Sequence, residues 1–266
     1  MTDNSQSGCD LSIIIVSWNV RELLRGCLTS IARTSRPMDP ASAVASLRHF
    51  GPNDAASPPT LEVIVVDNNS SDGTVEAIGK AFPWVRVLAS EENLGFTRGN
   101  NLGYAASSGA FVYFLNPDTE LAHGGLHKDS LWTLYQAVCE DATAGMAGPR
   151  LRYADNSLQP SVRRFPTPPA GFFESTWLGR AWPRNPWSRS LHMTDWQVGW
   201  AQAVDWIVGA AMLCRRTALQ TIMQEGDSGP FDEGYFMYSE EVDLALRLHL
   251  EGWHTLWIPQ ALVIHY

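Results

Sequence analysis

AFVYFLNPDTE, residues 110–120, is the stretch that decides the fold of this chain. Six apolar or aromatic residues run directly into Asn116, Pro117 and Asp118, and such a run is typical of a strand buried on both faces of a sheet. Proline cannot continue a central strand, so we expect the strand to end at Pro117. Asp118 would then lie at the carboxyl end of a buried strand, where open α/β sheets bind ligands, although an aspartate there can also simply cap the next turn.

The first half of the chain alternates strand and helix patterns. Leu11–Ser17, Leu61–Asp67 and Trp84–Ser90 each predict a strand. Helical patterns lie between the strands, at residues 23–31, from Thr74 onward and at 100–107. This alternation indicates an α/β fold with a mostly parallel, doubly wound sheet. Residues 36–60 are rich in proline, alanine and serine, and we expect a long loop or a flexible insertion there.

The second half of the chain is less regular. Val204–Arg215 predicts another buried strand. Helical patterns are found at residues 130–140, 217–224 and 240–251, and short final strands are expected at 255–258 and 261–265.

Composition and charge narrow the class of protein. The chain has 266 residues, of which 45% are hydrophobic, and its net charge of −9 argues against a nucleic-acid-binding protein. Its four cysteines are scattered without metal-binding spacing, which is typical of free thiols in a reducing compartment such as the cytoplasm. No apolar run approaches the roughly 20 residues of a membrane span, and the polar N-terminus is unlike a signal peptide.

Polar clusters follow three of the predicted strands, at residues 17–19, 67–73 and 116–118. The carboxyl ends of parallel strands share one edge of a sheet, so we expect these clusters to lie together. Asp67 would accept hydrogen bonds from a base or a ribose hydroxyl, and Asn69 and Gly73 would form a tight turn beside the ligand. Any one cluster alone also fits ordinary turn chemistry.

A fourth cluster, at residues 93–101, contains Arg98 between glycines and asparagines. A guanidinium matches the geometry of a phosphate, so Arg98 is a candidate for holding a diphosphate in a packed, functional loop. The alternative is an ordinary solvated arginine.

The motifs together resemble those of one enzyme family. They are IIIVSWN at 13–19, VIVVDNNSSDGT at 63–74, ENLGFTRGNN at 92–101, FLNPDTEL at 114–121, VDWIVGAAMLCRR at 204–216 and FDEGYFMYSEEVDLALRLHLEGW at 231–253. They are similar to glycosyltransferase family 2, with its inverting chemistry and GT-A fold, and especially to its rhamnosyltransferase-like branch. The resemblance implies a single domain over residues 1–266, with a nucleotide-sugar half at 1–121 and an acceptor and catalytic half at 122–266.

On the donor side, the resemblance implies a nucleotide site and a metal site. Asp67 would contact the nucleobase, Arg98 would lie near the diphosphate, and the nucleotide pocket would be lined by Ser17, Asn19 and Asn69. Asp118 matches the last carboxylate of the D-x-D metal motif, in which Asn116 replaces the first aspartate, so the site loses one negative charge. His265 matches a histidine that ligates the metal in some relatives. The implied cofactor is Mg²⁺ or Mn²⁺.

On the acceptor side, the resemblance implies a general base within the pair Glu240-Glu241. Glu241 matches the usual base, but the family has aspartate there, so Glu240 is also a candidate. Both residues follow Ser239, a good helix N-cap, and acidic residues in a first helical turn are otherwise ordinary. Asp205, Trp206 and Gly209 match a segment near the acceptor, where small residues can also simply allow close packing.

Residues 150–190 combine seven arginines with one aspartate and one glutamate. Aromatic residues are interleaved with them and continue beyond, at Phe165, Phe172, Phe173, Trp177, Trp182, Trp187, Trp196, Trp200 and Trp206. This composition fits a lipid-diphosphate acceptor at the inner face of a membrane, whereas the alternative is a packed loop with core tryptophans.

The predicted activity is that of a metal-dependent, inverting glycosyltransferase of the hexosyltransferase class. It would move a sugar from dTDP-rhamnose or a UDP-sugar to a hydroxyl of a cell-envelope or lipid-linked glycan. Two rivals are a non-catalytic nucleotide- or glycan-binding relative and a sugar-nucleotide nucleotidyltransferase. The second would need a glycine-rich loop after the first strand, where this chain has Ser17-Trp18-Asn19.

Overall fold

The computed structural model describes residues 8–38, 46–124, 129–193 and 199–266. Its strands are β1 (Leu11–Ser17), β2 (Ser35–Pro37), β3 (Arg48–Phe50), β4 (Thr60–Asp67), β5 (Arg86–Ala89), β6 (Phe111–Leu115), β7 (Thr119–Leu121), β8 (Ala144–Tyr153), β9 (Leu158–Gln159), β10 (Val162–Arg163), β11 (Gln202–Val204), β12 (Trp206–Ile207), β13 (Ala211–Arg215) and β14 (His254–His265). Its helices are α1 (Arg21–Thr34), α2 (Thr74–Ala81), α3 (Gly95–Ala105), α4 (Ser130–Glu140), α5 (Pro168–Ser175), α6 (Trp177–Ala181), α7 (Pro186–His192), α8 (Arg216–Thr221) and α9 (Glu240–Leu250).

Four parallel strands form the centre of the first half, in the order β5-β4-β1-β6. The apolar runs predicted from the sequence account for them, because β1 and β6 are buried almost throughout. β1 and β4 run in register from Leu11 opposite Leu61 to Ser17 opposite Asp67. Their two polar ends therefore lie side by side at one edge of the sheet, as predicted.

Antiparallel strands extend this centre into a larger mixed sheet. β13 pairs antiparallel with both β6 and β8, and β14 lies parallel to β8 and antiparallel to β7. The edge strands are β11 on one side and β3 followed by β2 on the other. The α/β class and the parallel nucleotide-binding half agree with the sequence analysis, whereas β8 was not predicted.

Helices cover both faces of the sheet and divide the core into two layers. Alternate residues of β1 point to opposite faces, so Ile13 and Ile15 belong to the core layer that includes α1 and α4, while Ile14 belongs to the layer that includes α3, α8 and α9. The layer beneath α1 is built from buried Leu24, Cys27, Leu28 and Ile31, which all lie within the helical pattern predicted at residues 23–31.

Several sequence predictions need correction. Residues 36–60 are not one loop, because β2 and β3 pair there and join the edge of the sheet, while residues 39–45 lie outside the described residues. Val204–Arg215 is not one strand, since a turn at Val208–Ala210 separates β12 from β13. The two expected final strands form one strand, β14, with a register shift between Ile258 and Leu262.

Residues 168–192 form three short helices that pack on one another, and we call this segment the aromatic arm. Its base is the ribbon of β10 and β12, where the backbone N–H of Arg164 donates to the carbonyl of Leu191 at 3.0 Å. No helix in the described parts of the chain is long and apolar enough to cross a membrane.

Candidate active site

A cavity of about 480 Å³ opens at the carboxyl edge of the parallel strands. Both halves of the chain contribute to it. The first half supplies Trp18, Asn68, Asn93, Gly95, Asn116 and Asp118, and the second half supplies Gly209, Phe236, Met237, Tyr238, Glu240, Glu241 and His265. The three polar clusters predicted to share one sheet edge do so, and the Glu240-Glu241 pair faces the same space.

The nucleotide side of this edge contains buried polar atoms without a hydrogen-bond partner among the described residues: Ser17 Oγ, Asp67 Oδ1 and Asn68 Oδ1. Asp67 is only 2% exposed, and its Oδ2 accepts from the backbone N–H of Ser70 at 2.9 Å. A buried polar atom without a partner is costly, so its presence marks a place where a ligand can complete the bonding. Asn68, which belongs to the polar cluster predicted at residues 67–73, lines the cavity.

Asn19 and Asn69 shape the turns beside the cavity and do not line it. Both have left-handed backbone conformations, with φ of 54° and 62°, which asparagine tolerates better than most residues. The side-chain oxygen of Asn19 accepts from the backbone N–H of Ser71 at 2.8 Å, which ties the turn after β1 to the turn after β4. Their predicted contact with a nucleotide stays a prediction.

Asp118 and His265 lie together because β14 runs antiparallel to β7, with His265 opposite Thr119. Nε2 of His265 is 3.4 Å from Oδ1 of Asp118, which is buried and has no hydrogen-bond partner within the described ranges. The backbone carbonyl of Asp118 accepts from Tyr266 at 2.9 Å, which holds this pair of chain segments together.

Gln159 is a site residue that the sequence analysis missed. Its Oε1 lies 3.0 Å from Nδ1 of His265. When Nδ1 carries the proton and donates to this oxygen, Nε2 presents its lone pair toward Asp118. No sequence signal marks Gln159, because it comes close to His265 only through the β8–β9 hairpin.

The donor set fits a divalent cation in part. Asp118 offers an unpartnered carboxylate oxygen, His265 offers Nε2, and Asn116 lines the same cavity with a neutral amide. No cluster of three or more acidic, histidine or cysteine side chains suited to a metal occurs in the described portion of the chain. A cation here would therefore depend on oxygen atoms from a bound donor to complete its coordination.

Glu240 and Glu241 begin α9 and face the cavity with carboxylate oxygens that are buried and lack a partner in the described structure. Burial, and secondarily the charge of Glu241, raises the pKa of Glu240 to about 6. Burial also raises the pKa of Glu241. A carboxylate whose pKa lies closer to neutrality is a better proton acceptor at physiological pH, so either residue suits a general base.

The backbone before α9 is strained. Tyr238 and Ser239 both have positive φ, 71° and 72°, and such conformations cost energy unless the surroundings enforce them. Ser239 occupies the N-cap position, but its side chain makes no capping hydrogen bond, so the predicted capping role is wrong. These two residues set the direction in which the chain enters α9, and the first residue of that helix, Glu240, lies at the cavity wall.

The segment 231–238 is held against the start of α3. The backbone N–H of Phe96 donates to the carbonyl of Phe236 at 3.0 Å, and the hydroxyl of Thr97 donates to the carbonyl of Tyr235. Asn101 accepts from the backbone N–H of Phe231 at 3.0 Å and donates to its carbonyl at 2.8 Å. The motif at 92–101 was predicted as a loop, but most of it is helix and its asparagine anchors the segment that precedes the candidate base.

Arg98 does not line the cavity. It lies on α3 with its side chain half exposed, 3.6 Å from Glu92 and 3.9 Å from Glu233. The predicted contact with a diphosphate stays a prediction.

Asp205 and Trp206 fasten the base of the aromatic arm. Asp205 Oδ2 accepts from the backbone N–H of Phe165 at 2.7 Å, and the indole N–H of Trp206 donates to the carbonyl of Arg164 at 2.9 Å. Gly209, in contrast, lines the cavity, and a Cβ there would lie 3.6 Å from Cβ of Glu241, which is ordinary contact. Close packing therefore does not require glycine at position 209.

Comparison with known proteins identifies the family to which the chain belongs. A family model described as Glycosyl transferase family 2 matches residues 12–192. N-acetylglucosaminyl-diphospho-decaprenol L-rhamnosyltransferase of Mycobacterium tuberculosis is 35% identical over an aligned length of 217, and the match covers 77% of this chain and 66% of that protein. Rhamnosyltransferase WbbL of Escherichia coli is 31% identical over an aligned length of 180, and the match covers 65% of this chain and 61% of that protein. The chain thus spans slightly less than two thirds of the length of these curated relatives.

The fold agrees with solved structures at much lower sequence identity. A crystal structure of GalNAc-T7 with UDP, GalNAc and Mn²⁺ matches with a TM-score of 0.60 and 14% identity, covering 98% of this chain and 44% of that one. At this level of identity the match concerns the fold, the mixed sheet with its covering helices. The chain belongs to glycosyltransferase family 2 and has the GT-A fold.

Proposed function

We propose that this chain transfers a sugar, with inversion, from a nucleoside-diphosphate donor to a hydroxyl of a lipid-linked cell-envelope glycan. The observation that carries the proposal is one cavity in which the Asp118–His265 pair and the Glu240-Glu241 pair both present unpartnered carboxylate oxygens. The first pair suits the leaving diphosphate with its metal, and the second suits the attacking hydroxyl. The rhamnosyltransferase relatives support dTDP-rhamnose as the first donor to test and a polyprenyl-diphosphate-linked N-acetylglucosamine as the first acceptor.

The donor base would bind at the edge formed by Ser17 and Asp67. An ionised carboxylate only accepts hydrogen bonds, and thymine and uracil both present an imide N–H that the unpartnered Oδ1 of Asp67 can accept. Cytosine has no proton on the corresponding nitrogen. Because Oδ2 already binds the Ser70 N–H, the carboxylate is held in one orientation.

The implied metal would be held by Asp118, His265 and the amide oxygen of Asn116. When bound, Mg²⁺ or Mn²⁺ supplies positive charge that stabilises the leaving diphosphate. The chain's own contribution is to orient these side chains, with Gln159 holding the imidazole from its other nitrogen. GalNAc-T7, which shares the fold, was solved with Mn²⁺.

Glu241 or Glu240 would take the proton of the acceptor hydroxyl as that oxygen attacks from the side opposite the leaving group. Both carboxylates are held at the cavity wall by the first turn of α9, where no hydrogen-bond donor in the described residues competes for Glu240 Oε2 or Glu241 Oε2. Their burial keeps water from solvating the charged form and thereby strengthens each as a base.

A second candidate function is a nucleotide-binding protein without turnover. Asn116 in place of an aspartate favours it, because the metal site then has one carboxylate fewer than the family motif offers. The two functions differ in their dependence on the glutamate pair, since binding alone is indifferent to it.

Calorimetric titration with dTDP, UDP and CDP tests the donor side. We expect dTDP and UDP to bind at least about tenfold more tightly than CDP, because the unprotonated N3 of cytosine would face the buried Asp67 carboxylate with a lone pair instead of an N–H. Asp67→Asn should reduce this preference. Asp72→Asn is the matched control, since Asp72 lies at the solvent side of the same turn and bonds to Arg21 and Thr74. Equal affinity for all three nucleotides would contradict this placement of the base.

A further inference from the structure

We propose that the aromatic arm is a docking element that inserts its aromatic side chains into the surface of an anionic lipid bilayer. The proposal rests on the proposed function in one respect, because a lipid-linked acceptor requires the cavity to meet a membrane. The observations that carry it, however, belong to the arm itself.

The arm exposes an unusual amount of aromatic surface. Trp177 is 73% exposed, and Phe172, Trp182 and Trp187 are about half exposed. The alternative of core tryptophans does not hold for these described residues, whereas Trp196 lies outside the described ranges. Contiguous exposed apolar surface of this kind marks an interaction site, while single exposed residues would not.

The aromatic rings are also fixed relative to one another. Phe173 stacks on Trp187 with ring centres 5.1 Å apart and an interplanar angle of 9°, and Trp182 meets both rings edge-on. The side chain of buried Asn185 caps α7 by accepting from the backbone N–H of Ser188 at 2.8 Å. Exposed Trp182 and Trp187 are therefore presented by a packed unit, which lowers the entropy lost on docking.

The net charge of the arm and its base indicates an anionic partner. Residues 163–193 contain five arginines, one glutamate and no lysine or aspartate, which gives a net charge of +4 inside a chain of net charge −9. The one glutamate, Glu174, lies 3.3 Å from His192. Tryptophan and arginine together suit the interface of a bilayer with anionic head groups, where the indole ring lies at head-group level and the guanidinium contacts phosphate.

The position of the arm connects docking to the cavity. Its base is the β10–β12 ribbon, and the residues that follow β12, Val208–Ala210, line the cavity. The rings of Phe165 and His249 are 5.7 Å apart, so the base also packs on α9, the helix that carries Glu240 and Glu241. An arm bound to a bilayer would therefore hold the cavity near a lipid-linked acceptor.

Vesicle flotation of the full chain tests the proposal, using phosphatidylglycerol–phosphatidylcholine vesicles and phosphatidylcholine vesicles. We expect binding to the anionic vesicles that weakens as salt is added. Trp177→Ser with Trp182→Ser should lower the partition coefficient at least about tenfold through lost apolar insertion. Arg180→Glu with Arg184→Glu should lower it by a similar factor through lost attraction to the lipid charge.

Matched controls separate the arm from general surface effects. Leu250→Ser changes an apolar residue that is also 73% exposed, but at the end of α9. Lys80→Glu with Arg86→Glu makes the same change in net charge outside the arm. Both controls should bind vesicles as the unmodified chain does, and thermal melting should confirm that every variant is folded.

Three outcomes would overturn the proposal. They are an unmodified chain that stays unbound with anionic vesicles, controls that lose as much binding as the arm variants, and arm variants that dissociate a dimer while vesicle binding is unchanged. Flotation needs neither donor nor turnover, so failure of the glycosyltransferase proposal would appear separately, as no nucleoside-diphosphate release. Affinity for dTDP should be the same in all these variants.

Discussion

Nδ1 of His265 lies 3.0 Å from Oε1 of Gln159, while Nε2 of the same ring lies 3.4 Å from Oδ1 of Asp118. The imidazole is thus held from one side by a neutral acceptor and faces an unpartnered carboxylate oxygen on the other. With a cation between Nε2 and Asp118, the Gln159 oxygen would accept a hydrogen bond from the proton on Nδ1 and leave the Nε2 lone pair for the metal.

Gln159→Leu should therefore weaken metal binding without removing a metal ligand. Loss of such a supporting hydrogen bond typically costs about 10–100-fold in metal affinity. Titration of Mn²⁺ in the presence of dTDP, followed by electron paramagnetic resonance, measures it directly. Leu158→Ala is the neighbouring control on the same strand, β9, and should leave the affinity unchanged. Equal Mn²⁺ affinity in Gln159→Leu and the unmodified chain would show that Gln159 does not position His265 for a metal.

The general base should be identified by replacing each glutamate with its amide. We expect loss of the base to reduce turnover by about 10²–10⁴-fold, with much less effect on nucleotide affinity. Asp243→Asn is a control in the same helical turn, because Asp243 pairs with Arg247 at 2.6 Å and does not line the cavity. If Glu240→Gln and Glu241→Gln both turned over like Asp243→Asn, neither would be the base.

The raised pKa of Glu240 predicts a pH effect on stability. Its pKa is raised from 4.5 to about 6, so between these values the folded chain binds its proton more tightly than the unfolded chain does. The free energy of unfolding then falls as pH rises through this window. Glu240→Gln removes the free-energy cost of ionising a buried carboxyl group. The variant should therefore be more stable than the unmodified chain by about 1–2 kcal/mol at pH 7, but not at pH 4. Urea unfolding at both pH values measures this, and an equal difference at the two would refute it.

Gly95, from the first half of the chain, lies directly against Phe236 of the second half at the cavity wall. Its replacement should lower both stability and turnover. Its φ is +74°, and a Cβ there would lie 2.7 Å from the ring of Phe236 and 2.8 Å from the Phe236 carbonyl oxygen. Gly95→Ala should therefore lower the free energy of unfolding by about 1–3 kcal/mol and reduce turnover. Gly79→Ala, on α2 with no atom within 4 Å of the added Cβ, should instead be neutral or slightly stabilising. Comparable stability of the two variants would contradict the role given to Gly95.

The sequence predicted the elements whose pattern is local. β1, β4 and β6 are continuous apolar runs that end in polar residues, so both the strands and the polar edge follow from the pattern. β8 was missed because its sequence, AGMAGPRLRY, contains two glycines and a proline. Pro149 pairs opposite Ile258, where the register with β14 shifts, and a Cβ at Gly148 would lie 2.4 Å from Cδ1 of Ile207, which would have to move. These reasons arise from neighbouring strands, and no local pattern contains them.

The candidate site also contains residues that local motifs predict and residues that they do not. Asp67, Asp118 and Glu240 were found from motifs, and the cavity brings the last two together. Gln159 was not found, because its role depends on the pairing of β8 with β9 and β14. Arg98 was expected near the diphosphate from the chemistry of its guanidinium and from the family resemblance. Its side chain on α3 lies toward Glu92 and Glu233, and the diphosphate contact stays a prediction.

The most direct test of the central claim is nucleoside-diphosphate release from dTDP-rhamnose and a panel of UDP-sugars, with a polyprenyl-diphosphate-linked acceptor and Mg²⁺, Mn²⁺ or EDTA. We expect release from one donor that requires acceptor and metal, and that is lost in Asp118→Ala and in the double variant Glu240→Gln with Glu241→Gln. Release that persists undiminished in both variants would contradict the placement of the active site in this cavity. Tight dTDP binding without release under any of these conditions would instead support the nucleotide-binding protein without turnover.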